Sequence, residues 1–143
     1  MSEKTIKNSN NDPLEYLFVD GTEVNRELLA NLLKDYIGID NKTLGPVFKE
    51  AFSNLDARLK LLVYLLYRKA LLETGKISSE NEPEKPKEIS KKTGVNYNST
   101  RSYLSQLRSK GVVDMGKGGS YFIPGYSLSK IADELKRGLK KDE

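Results

Sequence analysis

The sequence predicts a mainly helical fold with one small β-hairpin. Apolar residues recur at helical spacing in several separate stretches of the chain. Two of these stretches lie close together, punctuated by Gly94 and Gly111. β-Forming residues, Val112-Val113 and Tyr121-Phe122-Ile123, then flank a glycine-rich tip at Gly116–Gly119.

Taken in order, residues 1–12 are polar, with a single isolated Ile6, and are expected to form a disordered tail. Leu14–Val19 is a short apolar run ended by the turn signal Asp20-Gly21. It is read as a strand or an anchor against the core. Asn25–Ile37 reads as a helix: Asn25 caps it, Val24 and Leu29 form a hydrophobic staple, and Gly38 ends it. Leu28, Leu29, Leu32, Leu33 and Tyr36 make its apolar face. Asp40–Phe52 is a short hairpin or a broken helix, because Gly45-Pro46 interrupts it.

The longest helix is expected from Asn54 to Thr74, with Ser53 and Asp56 as a capping pair. Its leucines cover most of the circumference, so it must be buried on more than one side. The second partner is either the N-terminal extension, residues 13–53, or another copy of the chain. Residues 75–84 are polar and acidic and read as a mobile loop. After it comes a short helix ended by Thr93-Gly94, then a second helix capped by Asn96 and stopped by Gly111. Arg108 and Lys110 sit in its last turn, where the helix dipole favours cations. Pro124-Gly125 makes a turn, and Ser127 is read as the cap of a last amphipathic helix, Leu128–Leu139, within a C-terminal segment 125–143.

Glu88-Ile89-Ser90, Thr93-Gly94-Val95, Asn98-Ser99, Leu104, Leu107 and Lys110-Gly111-Val112-Val113 together carry a resemblance. They are similar to the scaffold helix, recognition helix and wing of the winged helix-turn-helix family, of the MarR/ArsR kind. The resemblance implies a winged helix domain over 54–124, with an N-terminal helical extension and a C-terminal amphipathic helix. Lys85-Pro86-Lys87 is then the short first strand. Helix 96–110 is the recognition helix, which in this family enters the major groove. Segment 112–123 is the wing, on the DNA backbone or in the minor groove.

The charge pattern agrees with a polyanion as partner. Residues 85–143 carry 13 Lys or Arg against 6 Asp or Glu, a balance of +7, whereas residues 1–55 balance at −3. With Thr100, Leu104 and Leu107 inward, Tyr97, Asn98, Arg101, Ser102 and Ser105 face outward. Arg bonds the O6/N7 edge of guanine, Asn pairs with adenine, and Ser reaches base or phosphate. Lys85, Lys87, Lys91, Lys92 and Arg108 are candidate backbone contacts, Lys117 at the hairpin tip is a candidate for phosphate or minor-groove contact, and Asn96 and Ser99 complete the expected DNA-binding set.

The chain has no Cys and no His, which removes the thiolate nucleophile and the commonest general base and metal ligand. No catalytic, cofactor or metal site is expected. GKGGS at 116–120 lacks the spacing of a phosphate-binding loop, and Asp133-Glu134 reads as solvated face charge. No apolar run approaches the ~20 residues of a membrane helix. The expected protein is a cytoplasmic, nucleoid-associated DNA binder: a dimeric transcriptional regulator on double-stranded DNA. The alternatives are a low-specificity DNA-organising or partition protein, or a protein-interaction module, with the N-terminal extension as a possible partner surface.

Overall fold

The computed structural model describes residues 12–18 and 23–141, and in that range the protein is mainly helical with two small antiparallel hairpins. The expected tail 1–12, save Asp12, and the Asp20-Gly21 turn lie outside the described residues, as does the side chain of Leu139. Pro13–Leu17 forms a short 3-10 helix, capped by the Asp12 carboxylate, which accepts from the Leu14 N–H at 3.0 Å. Leu14, Tyr16, Leu17 and Phe18 are 61–80% exposed, so this stretch is neither strand nor core anchor. An Asp cap followed by Pro at the first helical position favours a helical turn over a strand.

Helix α1 spans Arg26–Leu33 and is capped by Asn25, whose carboxamide accepts from Leu28 N–H at 3.0 Å. It ends earlier than the expected Ile37. Ile37–Ile39 is instead strand β1, paired with β2 (Pro46–Phe48) in the register Ile37↔Phe48, Gly38↔Val47, Ile39↔Pro46. Gly38 therefore lies within a strand and does not stop a helix. Two β-branched residues flanking it favour the ladder. Of the two readings of residues 40–52, the hairpin holds for the loop and β2 up to Phe48, whereas Glu50–Ser53 is a short helix, α2.

The β1–β2 loop is built on Asp40. Its carboxylate accepts from the Thr43 N–H (2.7 Å), the Lys42 N–H (3.0 Å) and the Thr43 hydroxyl (3.0 Å). These bonds, the Thr43 N–H foremost, hold the carboxyl below its ordinary range. Leu44 follows at φ 65°, a left-handed backbone that is strained for a leucine. Its carbonyl accepts the buried Tyr67 hydroxyl at 2.5 Å. Asp40→Ala should lower the urea midpoint, because three donors lose their acceptor. A depressed carboxyl stabilises above its unfolded-state pKa, and that contribution is lost as pH falls through the folded value. The difference between variant and parent should therefore shrink in acid, as urea titrations at several pH values would show.

Helix α3 spans Ala57–Glu73. Its cap is Asp56, which accepts from the Leu59 N–H at 2.9 Å, whereas the Ser53 hydroxyl donates back to Glu50 in α2. The expected Ser53–Asp56 capping pair is thus replaced by Asp56 alone, since Ser53 still belongs to the preceding helix. Leu59, Leu61, Leu62, Val63, Tyr64, Leu65 and Leu66 are all at most 1% exposed. They are covered from several sides by α1, β1 and the helices described below. The surplus apolar surface that suggested a second copy is taken up within the one chain.

Helix α4 spans Pro86–Thr93 and α5 spans Tyr97–Ser109. Lys85-Pro86-Lys87 is not a strand: Pro86 sits at the first helical position, where its missing N–H costs nothing. The ladder contact falls one residue earlier, as an antiparallel bridge between Glu84 and Tyr121. α5 closes in a Schellman motif at Gly111 (φ 77°). Val112 N–H donates to Leu107 O at 2.9 Å and Gly111 N–H to Arg108 O at 3.0 Å. Val112 and Val113 are therefore drawn into the core and are not strand residues. The hairpin begins at β3, Asp114–Met115, paired with β4, Tyr121–Phe122.

Helix α6, Leu128–Lys141, packs Leu128, Ile131 and Leu135 on α3 and α1. A Cβ at Gly138 would overlap Leu59, so the glycine sets this close approach. The Ser127 hydroxyl donates to Gly111 O at 3.2 Å and ties α6 to the end of α5, in place of the expected helix cap. Glu134 is buried and pairs with Arg58, contrary to its reading as solvated face charge. Among the described residues no helix is long and apolar enough to cross a membrane.

Candidate functional site

The turn between α4 and α5 is assembled from local hydrogen bonds. Gly94 takes φ 80° at the end of α4, and its N–H donates to Ser90 O at 2.9 Å. The Ser90 hydroxyl donates across the turn to Val95 O at 2.6 Å. Asn96 then caps α5, its carboxamide oxygen accepting from Asn98 N–H (2.8 Å) and Ser99 N–H (3.2 Å). Behind the turn Ile89, Thr100, Leu104 and Leu107 are fully buried, and the Thr100 hydroxyl is satisfied by Asn96 O at 3.0 Å. The inward set is the one the periodicity predicts.

The outward face of α5 follows from that anchoring. Tyr97, Asn98, Arg101, Ser102 and Ser105 are exposed. The Arg101 guanidinium lies 5.5 Å from the centre of the Tyr97 ring, a distance at which the ring face attracts a cation. Asn98, Arg101, Ser102 and Ser105 line one side of a groove of about 560 Å³; Pro86, Met115, Gly119 and Tyr121 line the other parts. The hairpin thus stands beside α5 as the second wall.

The basic residues divide into two groups. Lys117 is exposed at the hairpin tip. The Lys85 side chain reaches the same tip: its Nζ lies 3.9 Å from where a Cβ on Gly118 would stand. Lys87 is exposed on α4, and Lys91 lies 3.8 Å from Glu88. Arg108 turns toward the hairpin, with Nε 4.0 Å from Asp114 and a terminal nitrogen 3.6 Å from the Met115 sulfur. It faces the same hairpin as the groove but is already engaged with an acid.

Two members of the expected set are otherwise occupied. The Asn96 oxygen serves the cap, and Ser99 is half-buried. Gln106 was not anticipated, though it is exposed and donates to the Ser102 hydroxyl at 3.3 Å. Its i+4 spacing from Ser102 is the signal that places it there. Met115 and Gly119 also escape a reading by residue type, because neither carries a charge or a strong hydrogen-bonding group.

α5 contains no Asp or Glu along its whole length. Two acids pair with basic residues around it: Glu88 with Lys91 and Asp114 with Arg108. Among the described residues no cluster of three or more His, Cys, Asp or Glu could hold a metal ion. The arrangement offers neutral hydrogen-bonding groups and one guanidinium at its centre, with the Lys85 and Lys117 ammonium groups at its edge. No protein-family model matches this chain, and neither the curated proteins nor the solved structures include a significant match to it.

Proposed function

We propose that the chain is a winged helix-turn-helix protein that binds double-stranded DNA and regulates transcription, with α5 in the major groove. The β3–β4 hairpin acts as the wing, against the backbone or minor groove. The single observation that carries this reading is the outward face of α5: exposed Asn98, Arg101, Ser102 and Ser105, no carboxylate on the helix, and Lys85 and Lys117 together at the adjoining hairpin tip. A carboxylate-free face with peripheral cations suits a phosphate-flanked groove. The succession α3, α4, turn, α5, hairpin supports the same reading.

In this arrangement Arg101 and Asn98 reach base edges, Ser102 and Ser105 reach bases or phosphates, and Lys85, Lys87 and Lys117 neutralise the backbone. Fluorescence anisotropy with a random duplex pool, at two salt concentrations and followed by selection and sequencing, tests it. Arg101→Ala should weaken the selected site by about 1–3 kcal/mol and relax one base position. Lys117→Ala should weaken all duplexes alike and reduce the salt slope by about one unit. A palindromic selected motif with two chains per duplex would establish the dimeric form. Salt-steep binding with no motif would make it a low-specificity DNA-organising protein. No binding at low salt would remove the DNA reading altogether.

A further inference from the structure

The segment from Asn81 to Glu84 joins the buried helix α3 to the hairpin. On the α3 side, Arg68 donates to the carbonyls of Asn81 and Glu82. Glu82, only 3% exposed, has both carboxylate oxygens within 3.1 Å of Lys69 Nζ, and Lys69 is itself buried. On the hairpin side, Glu84 and Tyr121 exchange two backbone hydrogen bonds, at 3.0 and 2.8 Å. Pro83 fills the space over Gly116, where an added Cβ would come within 2.9 Å of the proline ring. The Glu84 carboxylate accepts from Tyr64 of α3 and lies 3.6 Å from Arg68. Every residue of the segment thus engages α3, the hairpin or both.

The hairpin needs such support. It has only two ladder pairs, Asp114↔Phe122 and Met115↔Tyr121, and an isolated two-stranded hairpin is marginal in water. A buried ion pair, by contrast, gains little net stability over apolar packing of the same volume. Its value here lies in fixing one arrangement: with Glu82 locked on Lys69, Pro83 and Glu84 can meet the hairpin at one register only. The Lys69 ammonium also stands 5.6 Å from the centre of the Phe122 ring on β4, so the pair touches the hairpin directly.

We propose that Asn81–Glu84, locked by the buried Lys69–Glu82 pair, is a positioning strap that sets the hairpin and its Lys117 against α5. The inference rests on the DNA reading above for its functional half. The strap governs the hairpin's contribution to affinity and leaves the base preference of α5 untouched. Lys69 and Glu82 touch no DNA; they act through Pro83, Glu84 and the Lys69 contact with Phe122.

Two variants of the full chain test it. Gly116→Ala lies outside the core and the backbone there is extended, so the added methyl meets chiefly the Pro83 ring, at 2.9 Å, and beside it the Ser120 hydroxyl, at 3.2 Å. Glu82→Gln breaks the lock from the other end. Residue-resolved hydrogen exchange should show the Glu84 and Tyr121 amides exchanging faster in both variants, with the α5 amides unchanged. In duplex binding, each variant should lower the salt slope by about one unit, as Lys117→Ala does, and lower it no further in a Lys117→Ala background. Unchanged exchange at Glu84 and Tyr121 in folded Gly116→Ala overturns the strap. So do slope losses that add to that of Lys117→Ala. If the parent chain binds no duplex, the DNA reading and the affinity half fall together. Accelerated exchange at those two amides would then still assign the strap its hold on the hairpin. Should Glu82→Gln fail to fold, Gly116→Ala alone carries the test.

Discussion

Lys69→Met should lower the free energy of unfolding by about 3–5 kcal/mol, the cost of leaving one buried charge without its partner. Methionine matches the lysine stem in length and keeps its packing, so the loss comes from Glu82. That carboxyl is 3% exposed, and in the variant the ammonium 3.0 Å away is gone. Arg68 does not replace it, because its guanidinium is directed to the carbonyls of Asn81 and Glu82 and toward the Glu84 carboxylate. A domain of this size has only about 5–15 kcal/mol to lose, so the shift in a urea titration would be large. Adding Glu82→Leu should recover most of it, since an apolar pair of similar volume packs about as well as the ion pair. A small loss in the single variant would mean that water already reaches Glu82.

The pH dependence of the same variant carries a definite sign. Burial pushes the Glu82 carboxyl above its ordinary value, although Lys69 pulls the other way. A carboxyl raised on folding favours the folded state below its unfolded pKa and loses that contribution as pH rises through the folded value. Without Lys69 the carboxyl is raised further, and the folded protein takes up a proton at Glu82 over a wider range. The stability gap between Lys69→Met and its parent should therefore be narrow near about pH 4 and widen toward about pH 7. A gap of constant size would place its origin in packing and not in charge.

The ion pairs are where the sequence was least legible. Lys69 lies in a leucine-rich helix and Glu82 in a polar acidic stretch, 13 positions on. Nothing local marks either as buried, because a charge in sequence reads as a charge in water. Glu134 misleads in the same way: it sits beside Asp133 on an amphipathic helix, yet it turns inward to Arg58. The segment 75–84, read as a mobile loop, is likewise tied at its far end by contacts that only tertiary structure supplies.

Features fixed by neighbouring residues were far more legible. Gly94, Asn96 and Gly111 each act through a backbone conformation or a cap within three or four residues, and each stands where it was expected. The outward residues of α5 followed from its period once Thr100, Leu104 and Leu107 were set inward. Errors arose where one pattern serves two structures. The run from Leu32 to Ile37 fits a helix face as well as a helix end followed by a strand, and the chain takes the second course. Val112-Val113 suits a strand by propensity, but the Schellman turn at Gly111 carries both valines into the core before the ladder begins.

Leu104→Ala should cost about 2–5 kcal/mol, the range for deleting a fully buried leucine side chain. The spread depends on how far α3 and α4 can close on the cavity. α3 is packed on several sides and α4 is held by the Thr93 and Ser90 bonds at its end, so the upper half of the range is expected. Leu104 lies three residues from Arg101 on the same helix, but its side chain is fully buried whereas that of Arg101 is exposed. The two substitutions should therefore separate cleanly. Arg101→Ala should leave the urea midpoint almost unchanged, since an exposed side chain contributes little to stability. Leu104→Ala should move the midpoint strongly, while the fraction still folded keeps the groove of Asn98, Arg101, Ser102 and Ser105 and its affinity for duplex. If Arg101→Ala instead destabilised the fold, its stacking on Tyr97 would be a structural bond and its assignment to a base would fail. If Leu104→Ala abolished duplex binding by chains that remain folded, the groove would depend on core packing in a way that the rigid inward anchoring of α5 does not allow.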